Sequence, residues 1–428
     1  MRIFRAVRAA YDYYKDDERV KNAQAQRRGR GPLSSPHTID GLYGKSLNLT
    51  ASRVDTFYSC RFAFFMQYGL KAKPRRVAKF DALSTGTFIH YVLEHALDAL
   101  GKCEGGAAHA DQPTVRKACR EAVRQYVAEE LGGLENKTAR FQYLFRRLVR
   151  AVEQILDNVI EELRVSDFAP IDYELDFSRS GDLPPVQCED GDVSVSLSGK
   201  VDRVDVYIKN GRLYLRVMDY KSGKKSFSLS DIWYGLNMQL IIYLYALQQE
   251  GLGRYRARLT AELNEIVPAG VRDELPDAAR DTDEEGLRIL RDKALRRSGL
   301  LSDDMSLLEA MEHGLEGDGR FIPVSIKTRK GEDEPTLAAK SAVADLAKFG
   351  RLARYTQKKL LEMGQALRNG SIEADPRKTD RSYCEWCDFR AACRFDETAG
   401  DKMRWLKNIK DKEFWEQLGG DDNAEVDT

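Results

Sequence analysis

Residues 199–223 read GKVDRVDVYIKNGRLYLRVMDYKSG, two alternating apolar runs joined by Asn210-Gly211. Asn-Gly is the strongest short-range hairpin signal, because both central residues of a type I′ turn take positive φ. A two-residue turn there sets Lys209 opposite Arg212 and fixes every pair beyond. Asp205 then meets Arg216 on one face, an ordinary pair of opposite charges. On the other face Asp202 meets Asp219. Directly opposed residues have Cβ atoms ~4.5–5.5 Å apart, so two like charges there destabilise the sheet unless a cation lies between them. Lys221 projects from the same face as Asp219, two residues further on.

An isolated Asp-x-Lys before the turn pair Ser222-Gly223 is most often an edge-strand ion pair. Two carboxylates and a lysine at one point are instead a site for a hard divalent ion such as Mg²⁺, bound through oxygen. Such an ion acidifies bound water and polarises a phosphoryl oxygen, while an ammonium orients the water or offsets developing charge. The combination suits phosphodiester hydrolysis.

Composition sets the frame. A chain of 428 residues with 42% hydrophobic and 32% charged residues suits two or three soluble domains, or one large core with helical additions. No stretch approaches the ~18–20 uninterrupted apolar residues of a membrane span, and the N-terminus shows no secretory h-region, so a cytoplasmic location and no membrane partner are expected. Lys+Arg and Asp+Glu are both 68, yet residues 1–80 hold 17 bases against 6 acids. That asymmetry is compatible with phosphate contacts and equally with a solvated basic face. The acidic last ten residues, GGDDNAEVDT, are expected to form a disordered tail.

Seven cysteines, an odd number without secretion features, argue against a disulfide framework. Cys384-x2-Cys387-x5-Cys393 differs from the rest, since three thiolates within ten residues can converge on one metal centre that still needs a fourth ligand.

Along the chain, residues 1–50 read as a basic lead-in ending in an Arg/Gly/Pro-rich linker. GLYGKS at 41–46 fails as a phosphate loop, because Ile39 stands where the first glycine must be. Ser52 and Asp55 form a capping box that opens a helix towards Gly69. Helices are predicted over 87–101 (opened by Gly86), 114–165 in one or two pieces, about 230–249 (ended by Gly251) and about 338–369. Strands are predicted at 171–177, 193–208 and 212–220, and residues 270–320 read as charged and helical.

Gly199-x2-Asp202-Arg203-x-Asp205 followed by Asp219-Tyr220-Lys221-Ser222 resembles the active-site hairpin of RecB-type PD-(D/E)XK nucleases. Gly86-x3-His90 and Gln239-x3-Tyr243 are similar to two further motifs of that family, in the same order. The resemblance implies a restriction-endonuclease-like α/β core, a mixed central sheet flanked by helices. It implies His90, Asp202, Asp219 and the Tyr220 carbonyl as ligands of Mg²⁺ (or Mn²⁺), with Glu174 in YELDF as an additional contact. Lys221 would assist the attacking water, and Gln239 and Tyr243 would contact DNA or support the site. His90-x3-Glu94-His95 has one residue too many for an inverted zinc-protease motif.

Cys60, in SRVDTFYSCRFAFFMQYGL, together with CEWCDFRAAC at 384–393 resembles the iron–sulfur staple of the AddB family of helicase–nuclease subunits. In that likeness Cys60, Cys384, Cys387 and Cys393 hold a [4Fe-4S] cluster, although their spacing alone also permits zinc; Cys103, Cys119 and Cys188 remain ordinary thiols. Arg61, where the family usually has proline, is expected to loosen the local turn. The likeness implies an exodeoxyribonuclease acting on single-stranded DNA in double-strand break repair, beside an AddA-like partner. It also implies a division into a lead-in (1–50), a nuclease domain (51–400), and a helix with an acidic tail (401–428). AddB proteins are much longer, so the chain is expected to be a fragment, an expressed domain or a reduced homologue. A stand-alone Cas4-like exonuclease and a non-catalytic cluster-stapled DNA-binding module are the rival readings.

Overall fold

The computed structural model describes residues 2–27, 31–73, 82–220, 227–274, 295, 298–327, 335–399 and 401–424. Its centre is a six-stranded mixed sheet built from β1 (Ala169–Phe177), β2 (Gly199–Lys209), β3 (Arg212–Tyr220), β4 (Glu265–Glu274), β5 (Ser298–Ser302) and β6 (Val343–Ala344), which lie side by side in that order. β1–β2 and β2–β3 are antiparallel pairs, and β3–β4 is parallel. A parallel neighbour needs a long crossover, which here is a helix, α5 (Gln239–Leu259).

Helices cover both faces. α5 and α6 (Leu346–Arg368) pack with the side carrying Val204, Leu215 and Val217. α2 (Ala82–Gly101), α3 (Gln112–Glu129) and α4 (Ala139–Arg164) form a second cluster that reaches Tyr220. α4 buries Phe145, Val152, Ile155, Leu156, Val159 and Leu163, the three-to-four spacing that gives a helix one apolar stripe. The α/β class and the mixed sheet expected from the sequence are present.

The Asn210-Gly211 turn is as read, with φ of 53° and 72°, and the ladder runs Lys209–Arg212, Asp205–Arg216, Arg203–Met218. Several boundaries differ. Residues 265–274 are a strand in the middle of the sheet, so the reading of 270–320 as charged and helical fails at its start. Ile266, Val267, Ala269 and Val271 are all buried, so two-sided burial erased the alternation, and Pro268 and Gly270 sit at a register shift against β3. Further along the segment read as charged and helical, Ser298–Ser302 is also a strand and Met305–Met311 a short helix, while residues 275–294, 296 and 297 lie outside the described residues.

The helix before Cys60, α1 (Ala51–Ser59), is capped by Thr50 rather than Ser52, and it stops at Cys60, whose φ of −170° breaks it before a short turn at Arg61–Phe64. Asp55, instead of capping, accepts a bond from the Asn237 amide at 2.9 Å. α2 starts at Ala82, so Gly86 lies inside it. α5 continues through Gly251 to Thr260, because a Cβ at Gly251 would already touch Tyr255 and Ile266, and closeness rather than termination explains the glycine. A separate short helix, Leu229–Trp233, precedes it. The lead-in is not all linker: Leu47–Leu49 pairs with Val195–Leu197 in a small second sheet. The expected disordered tail is helical as far as Ala424 in α7 (Asp411–Ala424).

Candidate active site

The site lies where β1, β2 and β3 end beside α2. Asp202 Oδ2 accepts the Tyr220 amide at 2.7 Å, which locks the Asp202 carboxylate to the end of β3. The established register, continued by one pair, sets Asp202 across from Asp219. On the other side Tyr173 pairs with Arg203 and Leu175 with Val201, so Glu174 falls across from Asp202. Three neighbouring strands thus bring a row of carboxylates to one point.

Glu174 interrupts its ladder with φ of 49°, a left-handed conformation that costs a non-glycine residue on the order of 1–3 kcal/mol. Its side chain meets Lys200 Nζ at 2.8 Å and His90 Nδ1 at 3.8 Å. Sequence motifs give no hint of Lys200, although it lies two residues before Asp202 and so shares its face.

His90 reaches the cluster from α2. Its Nδ1 is 3.6 Å from Asp202 Oδ2, and its Nε2 donates to the Tyr220 carbonyl at 2.5 Å. Ligand atoms of His90, Glu174 and Asp202 all lie within 4.8 Å of one another, which no other trio of His, Cys, Asp or Glu achieves among the described residues. Burial, then the neighbouring Asp219 charge, push the Asp202 carboxyl well above the usual range. Burial works against a charge on His90, but Glu174, Asp202 and the Tyr220 carbonyl outweigh it and lift the imidazole to about 9. Burial likewise opposes ionised Glu174, and His90 and Lys200 overcome it, so its pKa falls.

α5 supplies the remaining wall. Gln239 Nε2 donates to Asp219 Oδ1 at 2.6 Å and to the Tyr243 hydroxyl at 3.2 Å. Tyr243 comes this close because Gly199 has no side chain: a Cβ there would stand 2.8 Å from the Tyr243 ring and 2.6 Å from Phe177. Lys221 lies outside the described residues.

A profile of the PD-(D/E)XK nuclease superfamily matches residues 48–394. The chain belongs to the PD-(D/E)XK nuclease superfamily. It is also similar to bacterial proteins named as subunits of an ATP-dependent helicase/deoxyribonuclease. Identity is 33% over 392 residues with those of Clostridium botulinum (strain Loch Maree / Type A3) and Ruminiclostridium cellulolyticum, covering 89% of this chain and 33% of each relative. With the Thermoanaerobacter sp. (strain X514) protein it is 31% over 402 residues, 91% of this chain and 33% of the relative. The chain spans about a third of the length of these curated relatives. PD-(D/E)XK nucleases hydrolyse phosphodiesters and generally use a divalent metal.

The cysteine segments of this PD-(D/E)XK chain meet at a second junction. Cys60, Ala63 and Phe389 form a small buried cluster against which Cys387 and Tyr383 pack, and Cys393 is buried as well. Burial pushes the Cys60 thiol up to about 12. Burial also raises Cys387, with Cys384 near enough to add to it. Among the described residues no three cysteine sulfurs fall within 4.8 Å of one another.

Backbone and side-chain bonds already hold this junction. Phe62 N donates to Glu373 O at 2.9 Å, and Arg404 Nη2 donates to Tyr58 O at 2.6 Å. The Arg61 amide donates to Asp375 Oδ1 at 2.8 Å, a bond proline cannot make. Arg61 therefore ties the turn down instead of loosening it. Cys119 and Cys188 are fully buried core residues, and Cys103 is partly exposed.

The hairpin register alone makes Asp205–Arg216 an ordinary pair. It belongs to a fully buried network: Arg203 contacts Asp205 at 2.8 and 2.9 Å, Arg216 contacts Asp205 at 2.7 Å and Glu162 at 3.3 Å, and Arg272 contacts Glu162 at 2.5 Å. Burial opposes the Asp205 charge, yet Arg203 and Arg216 hold its pKa below the usual value. Glu162 and Arg272 come from α4 and β4, which no hairpin register could have matched to Asp205.

Proposed function

We propose that the chain is a divalent-metal-dependent exodeoxyribonuclease that cuts single-stranded DNA. The convergence of His90, Glu174 and Asp202, with Asp219 held beside them by Gln239, carries this reading. The donor set fits a hard ion: carboxylate and carbonyl oxygens with one imidazole nitrogen. Mg²⁺ or Mn²⁺ would be held by His90, Asp202, Asp219 and the Tyr220 carbonyl, with Glu174 as an additional contact. A bound ion supplies an acidified water and a polarised phosphoryl oxygen. The protein's own part is positional. Gln239 orients the Asp219 carboxylate, Tyr243 steadies Gln239, and Lys200 keeps Glu174 ionised. Lys221, two residues beyond Asp219 in sequence, is assigned to orient the attacking water and offset charge on the phosphoryl group.

Cys60, Cys384, Cys387 and Cys393 are assigned to a [4Fe-4S] cluster that joins the two ends of the nuclease unit, taken as residues 51–400. The spacing of the thiols suits zinc as well; the likeness to helicase/deoxyribonuclease subunits favours iron. By the same likeness the chain works in double-strand break repair beside an AddA-like helicase–nuclease partner, in the cytoplasm. No helix among the described residues is long and apolar enough to cross a membrane.

The test is cleavage of end-labelled single-stranded and duplex DNA by anaerobically purified protein with Mg²⁺, Mn²⁺ or EDTA. Single strands should be degraded only with metal. Folded, metal-supplied protein that leaves every substrate intact would favour the non-catalytic module.

A further inference from the structure

The helical pair α3–α4 carries a charge pattern that the active site does not use. Residues 116–124, RKACREAVR, and 139–150, ARFQYLFRRLVR, together hold eight Lys/Arg and one acid, Glu121, in a chain whose charges balance overall. Arg116 is neutralised by Glu153 and Asp157, at 3.5 and 2.6 Å. Gln112 at the start of α3 reaches Asp157 at 3.0 Å while Val123 and Val149 share one groove further along, so the two helices run antiparallel and the basic half of α4 lies beside Arg120 and Arg124.

Lys117, Arg120 and Arg124 follow one another at three- and four-residue spacing, on one face of α3. With Pro113, Val123 and Val149 they line an open groove of about 510 Å³. No carboxylate of the described residues pairs with Lys117 or Arg120, and Arg124 meets only the exposed Glu121 on its own helix, a weak pair in water. On α4, Tyr143 is 56% exposed among the exposed Arg140, Arg146, Arg147 and Arg150. A solvated basic face explains arginines, but it requires neither an apolar-floored groove nor a large exposed ring among them.

The C-terminal end of α3 is tied to α2, the helix that carries His90. Tyr126 of α3 packs on Phe88 and Tyr91 of α2 at 5.0 and 5.2 Å, and Tyr91 donates to Glu129 at 2.7 Å, which puts this end of α3 level with His90. At about 1.5 Å per residue, Arg124 to Lys117 then runs roughly 10 Å away from it.

We propose that the α3–α4 groove and the Tyr143 face bind a stretch of single-stranded nucleic acid outside the active site, with the basic residues on phosphates and a base stacked on Tyr143. A single strand is favoured over a duplex because a stacking ring needs an unpaired base. An acidic protein would match the arginines and leave the ring without a role. The proposal rests on the nuclease reading only for what lies at the end of the track.

The test is binding of a fluorescent oligothymidylate to the 428-residue protein in EDTA, so that no turnover intervenes. Lys117→Ala/Arg120→Ala/Arg124→Ala should weaken binding tenfold or more and flatten the salt dependence by about two units of slope, since each phosphate contact on a single strand contributes about −0.7. Tyr143→Ala should weaken it by roughly 5- to 150-fold. Lys412→Ala, on the C-terminal helix, should change nothing, and all variants should keep the wild-type melting temperature. Restoring charge with Arg120→Lys/Arg124→Lys should recover most of the affinity. Unchanged affinity in both the triple variant and Tyr143→Ala overturns the proposal, as does a loss confined to duplex DNA or to an acidic protein. Wild-type protein that binds through this surface but cuts nothing would retain the surface and remove the nuclease reading.

Discussion

The two faces of one hairpin treat buried charge in opposite ways. On the α4 face Asp205 is gripped by Arg203 and Arg216, Glu162 bridges Arg216 to Arg272, and every one of these side chains is sealed from solvent. Along the same strands, on the α5 face, Asp202 and Asp219 confront each other, Glu174 joins them, and among the described residues the basic group that meets Asp202 is a histidine. A carboxylate matched by guanidinium groups is finished as structure. Carboxylates gathered against one another call for positive charge, which a divalent ion can supply.

The contrast breaks most visibly through activity. Asp219→Ala should lower DNA cleavage by about a thousandfold or more while the melting temperature holds, because the Gln239 amide that loses its acceptor keeps the Tyr243 hydroxyl. Steady-state cleavage and a thermal melt of the same preparation decide it; near-normal cleavage by the folded variant would erase the functional half of the comparison.

Asp205→Asn should do the reverse. It leaves Arg203 and Arg216 buried beside a neutral group, a loss of about 3–5 kcal/mol read from urea unfolding. The Asp205 pKa is lowered in the folded protein, so its stabilisation is complete above the unfolded value of about 3.9 and fades as pH falls through the lower folded value. The gap between wild type and variant should therefore narrow below about pH 4. A constant gap down to pH 2 would mean that packing, not charge, is being measured.

The cysteine junction gives an intermediate effect. Cys60→Ser should release iron and lower the melting temperature, whereas Cys103→Ser should be silent in both respects. Cys119→Ser should keep the metal yet cost about 1–3 kcal/mol, since it places a hydroxyl in an apolar core, whereas Cys188→Ser should keep the metal and cost less, because the Tyr245 hydroxyl is there as a partner. Metal analysis with visible absorption separates the classes, and unchanged iron in Cys60→Ser would remove the long-range staple.

The smallest effect sharpens the comparison most. Without metal, Asp202→Asn should raise stability by up to about 1 kcal/mol by relieving the like-charge pair. It should also abolish the stabilisation by millimolar Mg²⁺ that native-state binding gives the wild type. A destabilised apo Asp202→Asn protein would show that the pairing of the Asp202 charge with His90, 3.6 Å away, outweighs the repulsion.

The hairpin was legible because its information is local. Asn210-Gly211 determined the turn, the turn determined the register, and the register determined that Asp202 and Asp219 face one another. Helical spacing likewise put Gln239 and Tyr243 on one side of α5. The sequence alone did not show that 265–274 is a central strand, because burial on both faces removes the alternation that marks a strand. Nor did it show that Thr50, next to the edge of a small sheet, caps the helix in place of Ser52.

By itself, then, the sequence determined which residues lie across from each other within one continuous turn, where chain geometry leaves a single register. Only the tertiary structure decided which distant groups share their charge. Glu162 and Arg272 complete the Asp205 network from another helix and strand, Lys200 and the kinked Glu174 enter the active site through pairing with β1, and residues 373–377 and 404 brace Cys60 from the other end of the chain. Such partnerships depend on how whole elements pack, and a Coulombic partner leaves no periodic trace in the sequence that would announce it.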